Sequence, residues 1–291
     1  MSPDPPTFDL QSHSVHSDGT LPAHEVVAAA AQAGVKLLSL SDHDSVDGVQ
    51  EAVDAAANHG IAVAPAVEIS ALDAEDRDLH ILGYMIDHHD ALLCERLEAY
   101  RQDREGRAGR MADALKELGY ELDEQSLAAR AAEGKSIGRP HLARAAVTHP
   151  ANAKRLEEEG LTDPSAFLVE YLIEGKAAFR SRTIPTVPDS IDAIHEAGGI
   201  AVWAHPFWTI PDAEIVLGLV DDFQARGMDG IECFYITHAR EQTQLLVERC
   251  DQHGMLQTGS SDFHGPGHRE FSEFRAFSLY GLEPKLGPIA G

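Results

Sequence analysis

Cysteine, aromatic residues and positive charge are all scarce in this chain. Its three cysteines, Cys94, Cys233 and Cys250, are an odd number at wide spacing with no CxxC pair. That excludes a disulfide framework and a cysteine-based zinc site, and leaves buried free thiols as the expectation. Aromatic residues make up 6% of the chain, against 43% hydrophobic residues in all. Alanine runs such as "VVAAAAQAG" point instead to helices packed through small side chains. No apolar run approaches the roughly 20 residues that span a bilayer, and "MSPDPPTF" lacks the basic start and apolar core of a signal peptide. The expectation is a cytoplasmic protein with no membrane contact. Only 23 basic residues stand against 48 acidic ones, for a net charge of −25, which disfavours long nucleic acids as partners. A small phosphorylated molecule stays possible, because bound divalent cations reverse the local field. The chain also has no GxSxG elbow, no Walker loop and no strand followed by GxGxxG.

Short β-type runs alternate with helical patterns. "FDLQSH" precedes a helix predicted over 21–33, "VKLLSLSDH" precedes one over 46–58, and "IAVAPAVEIS" follows. This is the rhythm of βαβ units, with Gly34 and Gly60 where helices should stop. "RDLHILGYMID" follows too closely for a crossover and reads as the second arm of a local hairpin. Residues 90–178 are charged and helical with no convincing strand. The alternation then resumes through "GIAVWAHP", "GIECFY" and "LQTGSSDFH", with helices near 190–197, 212–226 and 240–253. About seven strand-like runs with a parallel majority favour an α/β fold with a barrel-like or strongly curved sheet over 1–89 and 179–291. Residues 90–178 are expected to form an inserted helical cap subdomain. In such a barrel the chemistry sits at the C-terminal strand ends.

Those ends carry the pattern. Gln11, His13 and Asp18 follow the first run, and Asp42, His43 and Asp44 the second. Glu68 lies in the third, His80 in the fourth, His205 after the fifth, and Asp262 and His264 after the last. A lone histidine after a strand is usually a capped or hydrogen-bonded residue. Six segments that each deliver imidazole or carboxylate to one rim point to a metal centre, since this mixture suits zinc, manganese and iron. His24, His59, His88, His89, His149, His238, His253 and His268, in helical or loop contexts, are expected to be solvated.

The ordered set "DLQSHSVHSDGT", "LSLSDHD", "AVEIS", "LHILGY", "AVWAHP" and "GSSDFHGPG" resembles the PHP family, named for polymerase and histidinol phosphatase. The resemblance implies a distorted seven-stranded (β/α) barrel with an inserted helical subdomain, and two or three divalent ions, Mn2+, Zn2+ or Fe2+. One would be held by His13, Glu68 and Asp262, a second by Glu68, His80 and His205 with Glu68 bridging, and a third by Asp18, His43 and His264. Gln11 stands where the family usually has the first histidine of an HxH pair. A neutral amide oxygen is a poorer ligand for zinc or iron, so this metal site is weakened or rebuilt. "SIGRPHLAR" resembles the family's substrate-binding segment, in which Arg139 would fork onto phosphate oxygens and His141 donate a further hydrogen bond. The same residues also read as a plain helix start, with Pro140 in the first turn.

The function this implies is metal-dependent hydrolysis of small phosphate esters by a metal-bridging hydroxide. The favoured substrates are nucleoside 3′,5′-bisphosphates or short oligoribonucleotides. His205 and Asp262 are the candidate catalytic residues; a metal-bound water or His205 would protonate the leaving oxygen. An amidohydrolase-type C–N hydrolase and a non-catalytic metal- or nucleotide-binding protein are the alternatives.

Overall fold

The computed structural model describes residues 6–132, 137–181 and 185–291. The first residues of "MSPDPPTF" and Ser136 of "SIGRPHLAR" lie outside that set. In chain order the elements begin with β1 (Phe8–Asp9), α1 (Ala23–Gln32), β2 (Leu37–Leu38), α2 (Val49–His59) and β3 (Ala62–Val63). There follow β4 (Ala66–Leu72), β5 (Asp78–Tyr84), α3 (Ala91–Glu117), α4 (Glu124–Ala132), α5 (Arg139–Thr148), α6 (Ala153–Glu159) and α7 (Pro164–Tyr171). The chain continues with α8 (Val187–Glu196), β6 (Ile200–Trp203), α9 (Pro206–Thr209), α10 (Ala213–Ala225), β7 (Gly230–Tyr235), α11 (Arg240–His253) and β8 (Leu256–Ser260).

These elements form an α/β fold, but the strands do not make one seven-stranded ladder. They make a parallel three-stranded sheet, β1-β2-β3, and a five-stranded sheet, β4-β5-β6-β7-β8. One cause is Pro65, which lacks a backbone N–H and splits the single run "IAVAPAVEIS" into β3 and β4. Another is that β1 and β2 last two residues each before the chain turns aside into the histidine-bearing loops. Single bridges, Ser12 with Phe263 and His43 with Glu68, link residues beyond those short strands to the larger sheet. Within that sheet, β4 and β5 form the expected antiparallel hairpin, and β5 also runs antiparallel to β6. The β6-β7-β8 part is parallel.

Helix ends follow ordinary capping chemistry. Gly60 closes α2 in the left-handed conformation, and Thr186 and Asp189 form a reciprocal capping box on α8. Asp212 accepts from Glu214 N and Ile215 N at the start of α10.

The chain divides into two compact units: Met1–Asp73, Asp78–Glu98 and Pro185–Gly291 form one, and Ala74–Arg77 with Ala99–Ile184 form the other. In the first, Val26, Val27 and Ala30 of α1 bury against Ala52 of α2 and Leu38 of β2. The second has its own core around Met111, Tyr120, Leu142 and Phe167. Arg139 and Pro140 open α5 within it, and the Gly138 backbone N–H donates to His141 Nδ1 at 3.0 Å. The plain helix start is therefore present. No described helix is long and apolar enough to cross a membrane.

Candidate metal centre

Glu68 occupies the middle of β4, where every residue is buried. Alternation along the strand, and the pairing of Glu68 with Leu82 and of Ser70 with His80, place Glu68 and His80 on the same face. Their side chains meet diagonally, His80 Nδ1 lying 2.7 Å from Glu68 Oε1. His205 Nε2 approaches the same oxygen at 3.2 Å. The other oxygen, Oε2, lies 3.1 Å from His13 Nε2 and 3.4 Å from His43 Nδ1. His13 Nε2 is also 3.0 Å from Asp262 Oδ1. Asp18 completes the arrangement, 3.6 Å from His43 Nε2 and 3.4 Å from His264 Nε2. The eight histidine and carboxylate residues named from the sequence thus share one site in the first unit. Three sets have donor atoms mutually within 4.8 Å: His13, Asp18, His43 and His264; His43, Glu68 and His80; and His13, Glu68 and Asp262. His43 stands in two of these sets.

Three of the facing atoms, His13 Nε2, Glu68 Oε2 and Asp262 Oδ1, are buried and have no hydrogen-bonding partner outside the cluster they form. Buried carboxylate oxygens normally have donors of their own, and here one imidazole nitrogen is shared between two of them. A shared divalent cation resolves the arrangement, since imidazole and carboxylate lone pairs converge on one point.

The local backbone is bent to deliver these groups. His205, Asp262 and Asp44 adopt positive φ of 32°, 54° and 50°, an uncommon region for residues with a side chain that is encountered at functional sites. Gly19 lets the loop after β1 fold back on itself: a Cβ there would sit 2.2 Å from His13 O.

The carboxylates in and around the site divide into two groups by their neighbours. Burial would raise Asp18, Glu68 and Asp262, yet imidazoles outweigh it: His43 and His264 at Asp18, His43 and His80 at Glu68. Both stay well below the ordinary carboxylate range, and His264 with His13 holds Asp262 at about 2. His13 responds in kind, because Asp262 and Glu68 lift it well above its usual value against the effect of burial. Glu232 and Asp9 face no imidazole partner of this kind. Burial, reinforced by Asp262 and Glu68, drives Glu232 well up despite its hydrogen bond from Ser260. Burial likewise pushes Asp9 to about 7, although Arg275 and Ser261 donate to it.

Glu232 and Asp9 were not among the residues expected from the sequence. Glu232 Oε2 accepts from the backbone N–H of the strained His205 at 2.9 Å, and its Oε1 accepts from Ser260 Oγ at 2.6 Å. Asp9 accepts from Ser261 N and Ser261 Oγ, tying β1 to the loop that carries Asp262. Asp42 gathers Ser14 N, Ser14 Oγ and Ser17 Oγ, which fixes the loop bearing His13. Tyr235 OH donates to Asp262 Oδ2 at 2.8 Å. The readable signal for the first two was an acid inside an apolar strand-like run, "FDL" and "GIECFY".

Gln11 is buried, and its Oε1 lies 3.3 Å from Ser260 Oγ. Ser260 has one proton, and its shorter bond is to Glu232. His238, expected to be solvated, is buried instead: Nδ1 contacts Cys233 O at 3.1 Å, and the loop after β7 carries it inward.

A PHP domain matches residues 9–120. The chain is 34% identical over 259 residues to a 5′-3′ exoribonuclease of Haemophilus influenzae, covering 89% of this chain and 90% of that one. It is 33% identical to a 3′,5′-nucleoside bisphosphate phosphatase of Chromobacterium violaceum, covering 89% and 88%. Among solved structures, an amidohydrolase from Chromobacterium violaceum with bound sulfate superposes with a TM-score of 0.78 at 30% identity, over 98% of this chain and 93% of that one. A protein of Bifidobacterium adolescentis provisionally assigned as a metal-dependent phosphoesterase superposes with the same score at 26% identity, over 99% and 96%. The chain belongs to the PHP family. It is a metal-dependent phosphoesterase, and therefore a hydrolase.

Proposed function

We propose that this enzyme hydrolyses nucleoside 3′,5′-bisphosphates or very short oligoribonucleotides at a centre of two or three divalent ions. The observation that carries the reading is the convergence of His13 Nε2, Glu68 Oε2 and Asp262 Oδ1, buried and without partners outside their own cluster, beside a second cluster of imidazoles on Glu68 Oε1. Its relatives that act on nucleotides and RNA supply the substrate class. His13, Glu68 and Asp262 would hold one ion, Glu68, His80 and His205 a second, and Asp18, His43 and His264 a third, with manganese, zinc or iron as the candidates. Divalent cations held there supply Lewis acidity and an activated water to in-line attack at phosphorus.

The protein's own part is to orient and to exclude. Tyr235 and His13 fix Asp262, Glu232 fixes the backbone of His205, and Asp42 fixes the His13 loop. His205, at the rim after β6, is the candidate donor of a proton to the leaving oxygen. Arg139 and His141, at the start of α5, are proposed to hold the substrate phosphate.

The test is phosphate release by metal-loaded protein from nucleoside bisphosphates, short oligoribonucleotides, cyclic phosphates and simple monoesters. Turnover of the first two well above the rest is expected. Preferred turnover of simple monoesters would remove the nucleotide reading. Hydrolysis of C–N bonds is the second reading, prompted by the C. violaceum amidohydrolase structure. Release of amine or ammonia without phosphate would establish it. Arg139→Lys keeps the charge but loses the bidentate fork, so lowered activity with full metal content is expected. Unchanged kinetics would return Arg139 to its role as a helix start.

A further inference from the structure

An aromatic surface borders the metal centre. Among the described residues, the exposed large hydrophobic side chains are aliphatic except Trp208, which is 48% exposed while Trp203 is buried. Trp208 lies in the short helix α9, three residues beyond His205, and its N–H donates to His205 O at 2.9 Å. Its ring meets Phe271 edge to face at 5.5 Å and Tyr235 at 6.4 Å. Phe271 in turn stacks on the exposed ring of His268 at 5.0 Å, and His268 reaches His264 at 5.2 Å. Tyr235 closes the circuit, bonded to Asp262 and 5.1 Å from the His205 ring. A continuous set of rings therefore leads from three candidate metal ligands, His205, Asp262 and His264, outward to Trp208 and His268. All of it lies within the first unit.

A half-exposed tryptophan ring offers an open π-face, and this one is joined through Phe271 and Tyr235 to the rings of the candidate metal ligands. Resting on the function proposed above, we infer that Trp208, backed by Phe271 and flanked by His268, is the stacking platform for the nucleobase of the substrate. The continuity of the rings with the metal ligands favours a base attached to the bound phosphate over an unrelated partner. Stacking is sequence-tolerant because every base presents a π-face, and the larger face of a purine favours purines. Trp208 is then a specificity-determining residue, and no bond is made or broken there.

The experiment uses manganese-loaded full-length protein, with Trp208→Ala and Trp208→Phe. For adenosine 3′,5′-bisphosphate, Trp208→Ala should raise KM by between about fivefold and about a hundredfold while kcat changes little. Trp208→Phe should restore most of the loss, and KM for a base-free sugar phosphate should not move. Titration with adenosine monophosphate should quench tryptophan fluorescence in the parent protein and not in Trp208→Ala. Equal losses on the nucleotide and the base-free ester, or no loss on either, would overturn the inference. So would a change of mass in light scattering caused by Trp208→Ala, which would assign the surface to a second copy of the chain. Should the parent protein release phosphate from nothing, the proposed function fails alone. Saturable quenching that depends on Trp208 would then still support the platform, and its absence would refute that too.

Discussion

A carboxylate in the middle of a fully buried strand is among the costliest residues to place, since desolvating one charge costs several kcal/mol. Glu68 is tolerable because four imidazoles face its two oxygens, so every ring helps to hold it ionised. Glu232 solves the same problem differently, with two hydrogen-bond donors and no imidazole on its oxygens. Glu232→Gln can keep both contacts, its oxygen accepting from His205 N and its amide donating to Ser260. Glu232→Leu cannot, and leaves a buried backbone N–H unpaired at a cost of roughly 1–3 kcal/mol. Urea unfolding of the metal-free protein should show that loss for Leu and little for Gln. Metal uptake should fall for Leu as His205 loses its backbone anchor. Equal behaviour of the two variants would mean that the carboxylate's hydrogen bonds do not matter.

Gln11 poses the complementary case, an amide where an imidazole would add a donor. If it is a weak metal ligand, Gln11→His should raise the number of tightly held ions and shift manganese activation to lower concentration. Elemental analysis beside a manganese titration decides this. Unchanged stoichiometry and midpoint would confine Gln11 to its contact with Ser260.

At the scale of elements, the bulge between β7 and β8 matters most for the site. In a regular strand residues three apart face opposite sides, yet Glu232 and Tyr235 both reach the centre. The register shift between Glu232 and Phe234 re-aims the second half of β7. Gly259 permits the approach: a Cβ there would lie 2.6 Å from Phe234 O. His238 braces the bulge through Cys233 O. Burial holds its ring down at about 4, against an ordinary 6.5. The unfolded chain therefore takes up a proton on this residue before the folded one. Stability from the neutral ring is complete above about pH 6.5 and is lost as pH falls toward 4, by about 3 kcal/mol in all. Denaturation midpoints of the parent and His238→Gln should converge as pH drops through that window. A constant difference between pH 7 and 4 would refute the buried neutral histidine.

For the whole molecule, the net charge of −25 and the cluster of ionised carboxylates make cations stabilising. A ligand that binds only the folded state adds RT ln(1 + [L]/Kd), about 2.7 kcal/mol at a hundredfold excess over Kd. Chelator-treated protein should melt at lower temperature, and added manganese should restore the melting point in a concentration-dependent way that magnesium matches poorly. Identical melting curves with and without chelator would sink the metal centre as a whole.

What the sequence by itself determined is the local chemistry. The α/β rhythm, the β4–β5 hairpin and the eight histidine and carboxylate residues that the fold clusters are all written in short-range patterns, because hydrophobic periodicity and a histidine after a strand are properties of a few adjacent residues. The tertiary structure alone decided the rest. Two separate sheets arise where Pro65 interrupts a run that reads as one strand. Glu232 and Asp9 look like interruptions of apolar segments until Ser260, Ser261 and the His205 backbone arrive from more than 25 residues away to satisfy them. His238 reads as a loop histidine until the bulge draws it inward. Trp208 is backed by Phe271, 63 positions along the chain. For Glu232, Asp9 and Trp208 the deciding contacts join residues far apart in sequence, and the free energy of a buried polar or aromatic group depends on such contacts as well as on its neighbours along the chain.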